Sequence, residues 1–388
     1  MASNIFPVEK LKKINTPFYL YNTTLLQSTL ERIQECIKNF SNWHVHYAVK
    51  ANANPHILKE ISKYGLGIDC VSGGEILAGL ENGFQSEKIV FAGVGKSDRE
   101  INIALDNDIH SFNVESVPEL EVINQLAKEK GKIANIALRV NPNVDAHTHE
   151  KITTGLNENK FGIALDDLMP TIEYCSQLSN INYVGLHFHI GSQITNLDVY
   201  KHLCIKINDI QDELENENII TQSINVGGGL GIDYNNPQDN PIPRFEAYFS
   251  IFKQHLKLRN HQELHFELGR SIVGQCGYLI SKVLYVKKGH SKQFLILDAG
   301  FTELIRPAMY QAVHRIENIS VSENEDQEKY DVVGPICESS DVFGKDILLS
   351  LSKRGDLIAL YSAGAYGEVM SSTYNCRELP KSYFVEEL

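Results

Sequence analysis

A chain of 388 residues is too long for one ordinary hydrophobic core, so two domains or a barrel with an appendage are expected. Its 43% hydrophobic and 22% charged residues are the composition of a globular protein and exclude extended disorder. A formal net charge of -13, without any Lys/Arg-rich run, excludes a nucleic-acid surface.

The chain opens on MASNIFPVEKLKK, which has neither the apolar stretch nor the cleavage site of a secretory signal. No uncharged apolar run is long enough to cross a bilayer, so the expected location is the cytoplasm, with no membrane partner. TPFYLYN (16–22) reads as a strand. Eight β-branched or aromatic runs follow: 44–50, 67–71, 88–93, 110–115, 136–142, 183–191, 223–229 and 264–269. Helical spacing fills the gaps in PHILKEISKYG, GGEILAGLENG, VPELEVINQLAKEKG, DLMPTIEYCSQL and residues 197–217. Eight such alternations predict an α/β fold with a (β/α)8 barrel over 24–270, in preference to an open doubly wound sheet. After residue 270 the texture turns β-rich, as in YLISKVLYVKK, QFLILDAG and DLIALYSAGAYG. Residues 1–23 and 271–388 are therefore expected to form one β domain, completed by the early strand. The acidic stretch SENEDQEKYD (322–331) reads as a solvated loop.

Polar residues mark the C-terminal ends of the eight runs, the face on which barrels build their sites: Lys50, Asp69, Glu115, Arg139, His189, Gly227 to Gly229 and Glu267. Lys50, in YAVKAN, is placed for desolvation, which lowers an amine's pKa and prepares it for Schiff-base formation with an aldehyde cofactor. A lone strand-end lysine more often reaches out to solvent. GGGLG (227–231) offers successive bare amides for a phosphate, although glycines alone equally mark a turn. ELGR (267–270) adds a carboxylate and a guanidinium that suit either an ion pair or anion binding. The pairs His44/His46, His147/His149 and His187/His189 invite a metal reading. Without carboxylates at ligand spacing no metal is expected, and an imidazole against a cofactor ring is the favoured role of His189. Seven scattered cysteines with no CxxC pair fit neither a disulfide framework nor a zinc knuckle.

YAVKAN, LHFHIGSQ, NVGGGLGI, ELGRSIVG, DAGFTELIRPAMY, GPICESSDVF and GAYGEVMSSTYN occur in one order between about residues 47 and 375. Together they resemble the fold-type III pyridoxal-phosphate decarboxylases, most of all the branch acting on diaminopimelate. The resemblance implies pyridoxal 5'-phosphate joined to Lys50, with Asp69 and Glu75 nearby and His189 stacked on the ring. It gives the phosphate to Ser192, Gly227, Gly228, Gly229 and Gly269, with Tyr366 closing over it and Glu267 facing the pyridine nitrogen. Arg270, Arg306 and Tyr310 would grip the substrate's distal carboxylate, Cys337 would donate the proton, and Glu338 would recognise the second ammonium. Cys337 and Glu338 are expected to act across a homodimer. The implied reaction converts meso-2,6-diaminopimelate to L-lysine and carbon dioxide, the last step of lysine biosynthesis. Leu268 stands where the family usually has proline. Rival expectations are a decarboxylase of ornithine, arginine or carboxynorspermidine, a non-catalytic regulatory binding protein, and a metal-dependent hydrolase.

Overall fold

Each of the eight runs becomes a strand, and the eight strands close into a parallel barrel in the computed structural model, which describes residues 5–142, 160–321 and 326–388. With β1 at Phe18–Tyr21, the barrel strands are β2 Trp43–Ala48, β3 Gly67–Cys70, β4 Ile89–Phe91, β5 Ser111–Val114, β6 Ala134–Arg139, β7 Ile181–His187, β8 Ser223–Asn225 and β9 Glu263–Leu268. They pair in sequence order, and β2 closes on β9 with His46 opposite Glu267. The helices expected between them are present, including Pro55–Ser62, Gly73–Glu81, Val117–Glu129, Leu165–Gln177 and Asp198–Asn216. Caps set their starts: Asn54 accepts from the His56 amide, and Ser72 and Ser116 accept from the amides of Glu75 and Glu119.

Two compact units are distinguished, one of Leu30–Gly231 with Arg244–Gly269, the other of residues 1–29, Ile232–Pro243 and Arg270–Leu388. The barrel unit packs aromatics behind β9, where Phe266 meets Phe249 edge-on at 4.9 Å and Phe252 at 5.1 Å between ring centroids.

The second unit is a mixed sheet of β1, β10 Gly277–Lys288, β11 Gln293–Leu297, β12 Ile316–Asn318, β13 Gln327–Val333, β14 Val342–Ser350, β15 Leu357–Leu360 and β16 Lys381–Phe384. β1 lies antiparallel to β10 and parallel to β16, so the early strand completes this sheet. Its core gathers Phe6, Leu11, Phe18, Leu20, Tyr278, Ile280 and Leu357. Two details differ from the sequence reading. Residues 24–29, 232–243 and Arg270, assigned to the barrel by position, belong to this unit, where Gln275 donates to the carbonyls of Pro237 and Asn240. The acidic stretch is not all loop, because from Gln327 onward it forms β13, whose Tyr330 and Val332 are buried. Residues 322–325 lie outside the described residues.

Candidate active site

Past Ala48 the chain leaves β2 through a short 3-10 turn, Val49–Ala51, and this turn carries Lys50. Ala48 is in register with Asp69 on β3, and Lys50 Nζ lies 3.4 Å from Asp69 Oδ2. The lysine side chain keeps 38% of its surface exposed, so an aldehyde can reach the amine. Asp69 is fully buried, and burial together with the Glu267 carboxylate raises its pKa, against the pull of Lys50. Glu75 serves the turn after β3, accepting from the Val71 amide at 2.7 Å.

Glu267 is the best-held group inside the barrel. Oε1 accepts from Asn113 Nδ2 at 3.0 Å and from Asn225 Nδ2 at 2.7 Å, and Oε2 lies 2.9 Å from His187 Nε2. Burial alone would favour the neutral acid, yet the contacts with His187 and the charge of Lys50 outweigh it and hold the carboxylate ionised. Asn225 also accepts from the Gly227 amide through Oδ1 at 2.9 Å, tying the acid to the glycine loop. The sequence reading missed Asn113 and Asn225 and gave His187 no role of its own.

β7 stops at His187, so His189 sits in the loop beyond the strand and not on a shared strand face. The Gly228 amide points at His189 Nδ1 at 3.4 Å. Burial, and secondly the nearby Lys50, push the pKa of His189 well down, which keeps this imidazole neutral. Gly227 and Gly229 have φ of +67° and +97°, and a methyl group on Gly228 would overlap the Glu267 carbonyl oxygen. The loop carrying Ser192 is hydrogen-bonded to the glycine run, with the Ile194 amide 2.8 Å from the Gly229 carbonyl. A methyl on Gly269 would press on Ala48 and Ala51 at 3.1 Å, so Gly269 lies close beneath the Lys50 turn.

Arg139 and Glu115 form a buried ion pair at 2.7 Å, and Glu115 also accepts from the Gly162 amide at 2.9 Å. This is the bland, structural role for two residues singled out in the sequence. His147 and His149 lie outside the described residues.

The sheet unit holds the predicted substrate residues. Arg270 donates to Tyr234 Oη at 2.6 Å, and its guanidinium lies 4.8 Å from the Tyr366 ring centroid. Arg306 stacks 4.7 Å from the Tyr234 ring. His314 Nδ1 lies 2.8 Å from the Tyr361 carbonyl and must carry the proton there, so its Nε2 accepts from Arg306 Nη1 at 2.8 Å. Both arginines are buried. Tyr310 ends the short helix Arg306–Tyr310 and adds to the field at both arginines. Tyr234 and His314 were not foreseen. Cys337 and Glu338 are exposed, and Tyr374 Oη donates to Glu338 Oε1 at 2.7 Å.

The residues fit pyridoxal phosphate: a reachable amine, a buried carboxylate held ionised, a neutral imidazole, and a glycine loop with no room for side chains. Asp69 Oδ1 also lacks a hydrogen-bond partner among the described residues. Residues 26–274 match the family described as pyridoxal-dependent decarboxylase, pyridoxal binding domain. The chain is 59% identical over 384 residues to diaminopimelate decarboxylase of Bacteroides thetaiotaomicron, covering 99% of each. It is 40% identical to the enzyme of that name from Aquifex aeolicus, covering 97% of this chain and 88% of the relative. The crystal structure of diaminopimelate decarboxylase from Helicobacter pylori complexed with L-lysine superposes with a TM-score of 0.91 at 38% identity, covering 98% of this chain and 94% of that one.

Proposed function

We infer that the chain, which belongs to the pyridoxal-dependent decarboxylase family, catalyses the decarboxylation of meso-2,6-diaminopimelate to L-lysine and carbon dioxide, the last step of lysine biosynthesis. The observation that carries this reading is the Glu267 carboxylate, held ionised by His187 in the same barrel that presents Lys50. Bound there, pyridoxal phosphate supplies an electron-accepting ring that takes up the electron pair left when carbon dioxide departs. Lys50 would hold the cofactor aldehyde and, when its amine is free, carry protons at Nζ. Glu267, held ionised, would set a negative charge against the ring nitrogen. His189 would lie against the ring, and Ser192, the amides of Gly227 to Gly229 and Gly269, and Tyr366 would hold the phosphate.

Arg270 and Arg306, both buried and both over the Tyr234 ring, take the substrate's distal carboxylate, with Tyr310 beside them. Cys337 donates the proton to the carbon that has lost its carboxylate, and Glu338 pairs with the second ammonium. An exposed thiol is a poor place for a controlled proton transfer, which supports a homodimer whose second chain covers it. No helix among the described residues is long and apolar enough to cross a membrane, and we place the protein in the cytoplasm.

Borohydride reduction followed by peptide mass mapping tests the cofactor site, with a pyridoxyl adduct expected on Lys50. Carbon dioxide release from meso-diaminopimelate, ornithine and arginine tests the substrate. Faster turnover of ornithine or arginine overturns the specificity, and an adduct elsewhere overturns the site.

A further inference from the structure

Four histidines and a glutamate gather at the N-terminal end of the barrel, the end opposite the one that carries Lys50. His44 is the second residue of β2, Glu263 and His265 are the first and third of β9, and His110 immediately precedes β5. His44 and His265 are in register. The His265 ring centroid lies 5.0 Å from that of His44, 5.2 Å from His46 and 5.3 Å from His110. One ligand atom each of His110, Glu263 and His265 falls within 4.8 Å of the others, the one such group of three among the described residues.

Hydrogen bonding fixes which nitrogen of His265 is bare. His46 Nδ1 lies 3.1 Å from the Lys88 carbonyl, which can only accept, so Nδ1 carries the proton. Burial, and secondly His265, push the pKa of His46 well down, so its ring is neutral and Nε2 is a lone pair. His265 Nδ1, 2.9 Å away, is therefore the donor, and the lone pair of a neutral His265 ring sits on Nε2. That nitrogen is buried, has no hydrogen-bond partner among the described residues, and faces Glu263 Oε2 at 3.5 Å. His44 Nε2, equally without a partner there, lies 3.8 Å from Glu263 Oε1. A lone pair on His265 Nε2 turned toward the Glu263 carboxylate is satisfied by a cation between them, a proton or a metal ion.

We propose that His110, Glu263 and His265 form a binding site for a divalent transition-metal ion of the zinc class. Nitrogen and oxygen ligands about 2.0–2.1 Å from a tetrahedral ion stand roughly 3.3 Å from one another, close to the 3.5 Å between His265 Nε2 and Glu263 Oε2. Imidazoles with one carboxylate select zinc, copper or nickel over magnesium or calcium. His46 orients His265 from behind, as the outer partner of a metal-bound imidazole does. The ion ties β9 to the start of β5 across the barrel and acts as a structural clamp, remote from the chemistry at the other end. A proton on His265 is its competitor.

The test uses the holoenzyme, freed of metal by chelation and titrated with zinc by calorimetry at two pH values, and with cobalt by visible spectroscopy. One ion per chain, tetrahedral cobalt bands, a higher melting temperature with the ion and tighter binding at the higher pH are expected. His110→Gln and Glu263→Gln should each weaken binding roughly tenfold or more while leaving the buried His46–His265 contact intact. No stoichiometric uptake, or uptake that both variants leave untouched, overturns the proposal.

Discussion

His187 Nε2 stands 2.9 Å from Glu267 Oε2 inside the barrel, two residues brought together by non-adjacent strands. Replacing His187 with Leu leaves Glu267 with its two asparagine donors but without the partner that most favours its charge. A hydrogen bond to a charged group contributes about 1.5–3 kcal/mol, so kcat should fall roughly ten- to a hundredfold with little change in KM. His187 lowers the Glu267 pKa, so its loss raises that value and moves the acid limb of the rate profile to higher pH. An unshifted acid limb would mean that His187 does not set the charge of Glu267.

His314 bridges the Tyr361 carbonyl and Arg306, and so fixes the guanidinium that is proposed to take the distal carboxylate. Substitution by Ala should raise KM for diaminopimelate about tenfold, the worth of one charge-assisted hydrogen bond, with kcat within about twofold. Steady-state kinetics checks the split, and a fall in kcat alone would remove His314 from substrate binding.

The same histidine predicts acid lability. Burial first, and then the charge of Arg306, lower its pKa from 6.5 to about 3. Between those values the unfolded chain binds the proton and the folded chain does not, so stability falls as pH falls from about 6.5 toward 3. Each such group contributes a slope of about 1.4 kcal/mol per pH unit in that window. Urea midpoints of the wild type and His314→Gln between pH 7 and pH 4 should show a shallower decline in the variant, and equal declines would place the His314 proton elsewhere.

All eight barrel strands were legible because strands buried on both faces read as short apolar, β-branched runs. Their ends were not, since the sequence runs continue into the loops that build the site. Lys50, His189 and Gly227 to Gly229 lie beyond the last paired residue of their strands. The motif residues were legible because each cluster is local. The partners of Glu267 were hidden for the opposite reason: Asn113, His187 and Asn225 are polar positions in apolar strands, tens of residues apart, and only barrel closure makes them neighbours. Tyr234 and His314 meet the arginines by the same long-range route.

Gly228 is expected to tolerate no side chain. A methyl there overlaps the Glu267 carbonyl on β9, while the Gly228 amide is held toward His189 Nδ1 and its carbonyl by Tyr200 Oη, which leaves little room to shift. Gly228→Ala should cost about 1–3 kcal/mol of stability and weaken cofactor binding, read as a lower melting temperature and an incomplete cofactor absorption band on titration. Full cofactor occupancy with an unchanged melting temperature would show that the glycine run is a turn with no part in the phosphate site.

Mixing two inactive variants tests the shared site directly. Lys50→Ala lacks the amine that anchors the cofactor, and Cys337→Ala lacks the proposed proton donor, so each homodimer should release little carbon dioxide. If Cys337 serves the Lys50 of the opposite chain, a mixed dimer contains one site with both mutations and one site with neither. Random exchange puts half of the molecules in mixed dimers, so activity should recover to roughly a quarter of the wild-type value. If both residues served the same chain's site, every site in every dimer would lack one of them and mixing would restore nothing. Exchange is verified by mass spectrometry of the intact dimers, so that an inactive mixture reports the geometry and not a failure to exchange.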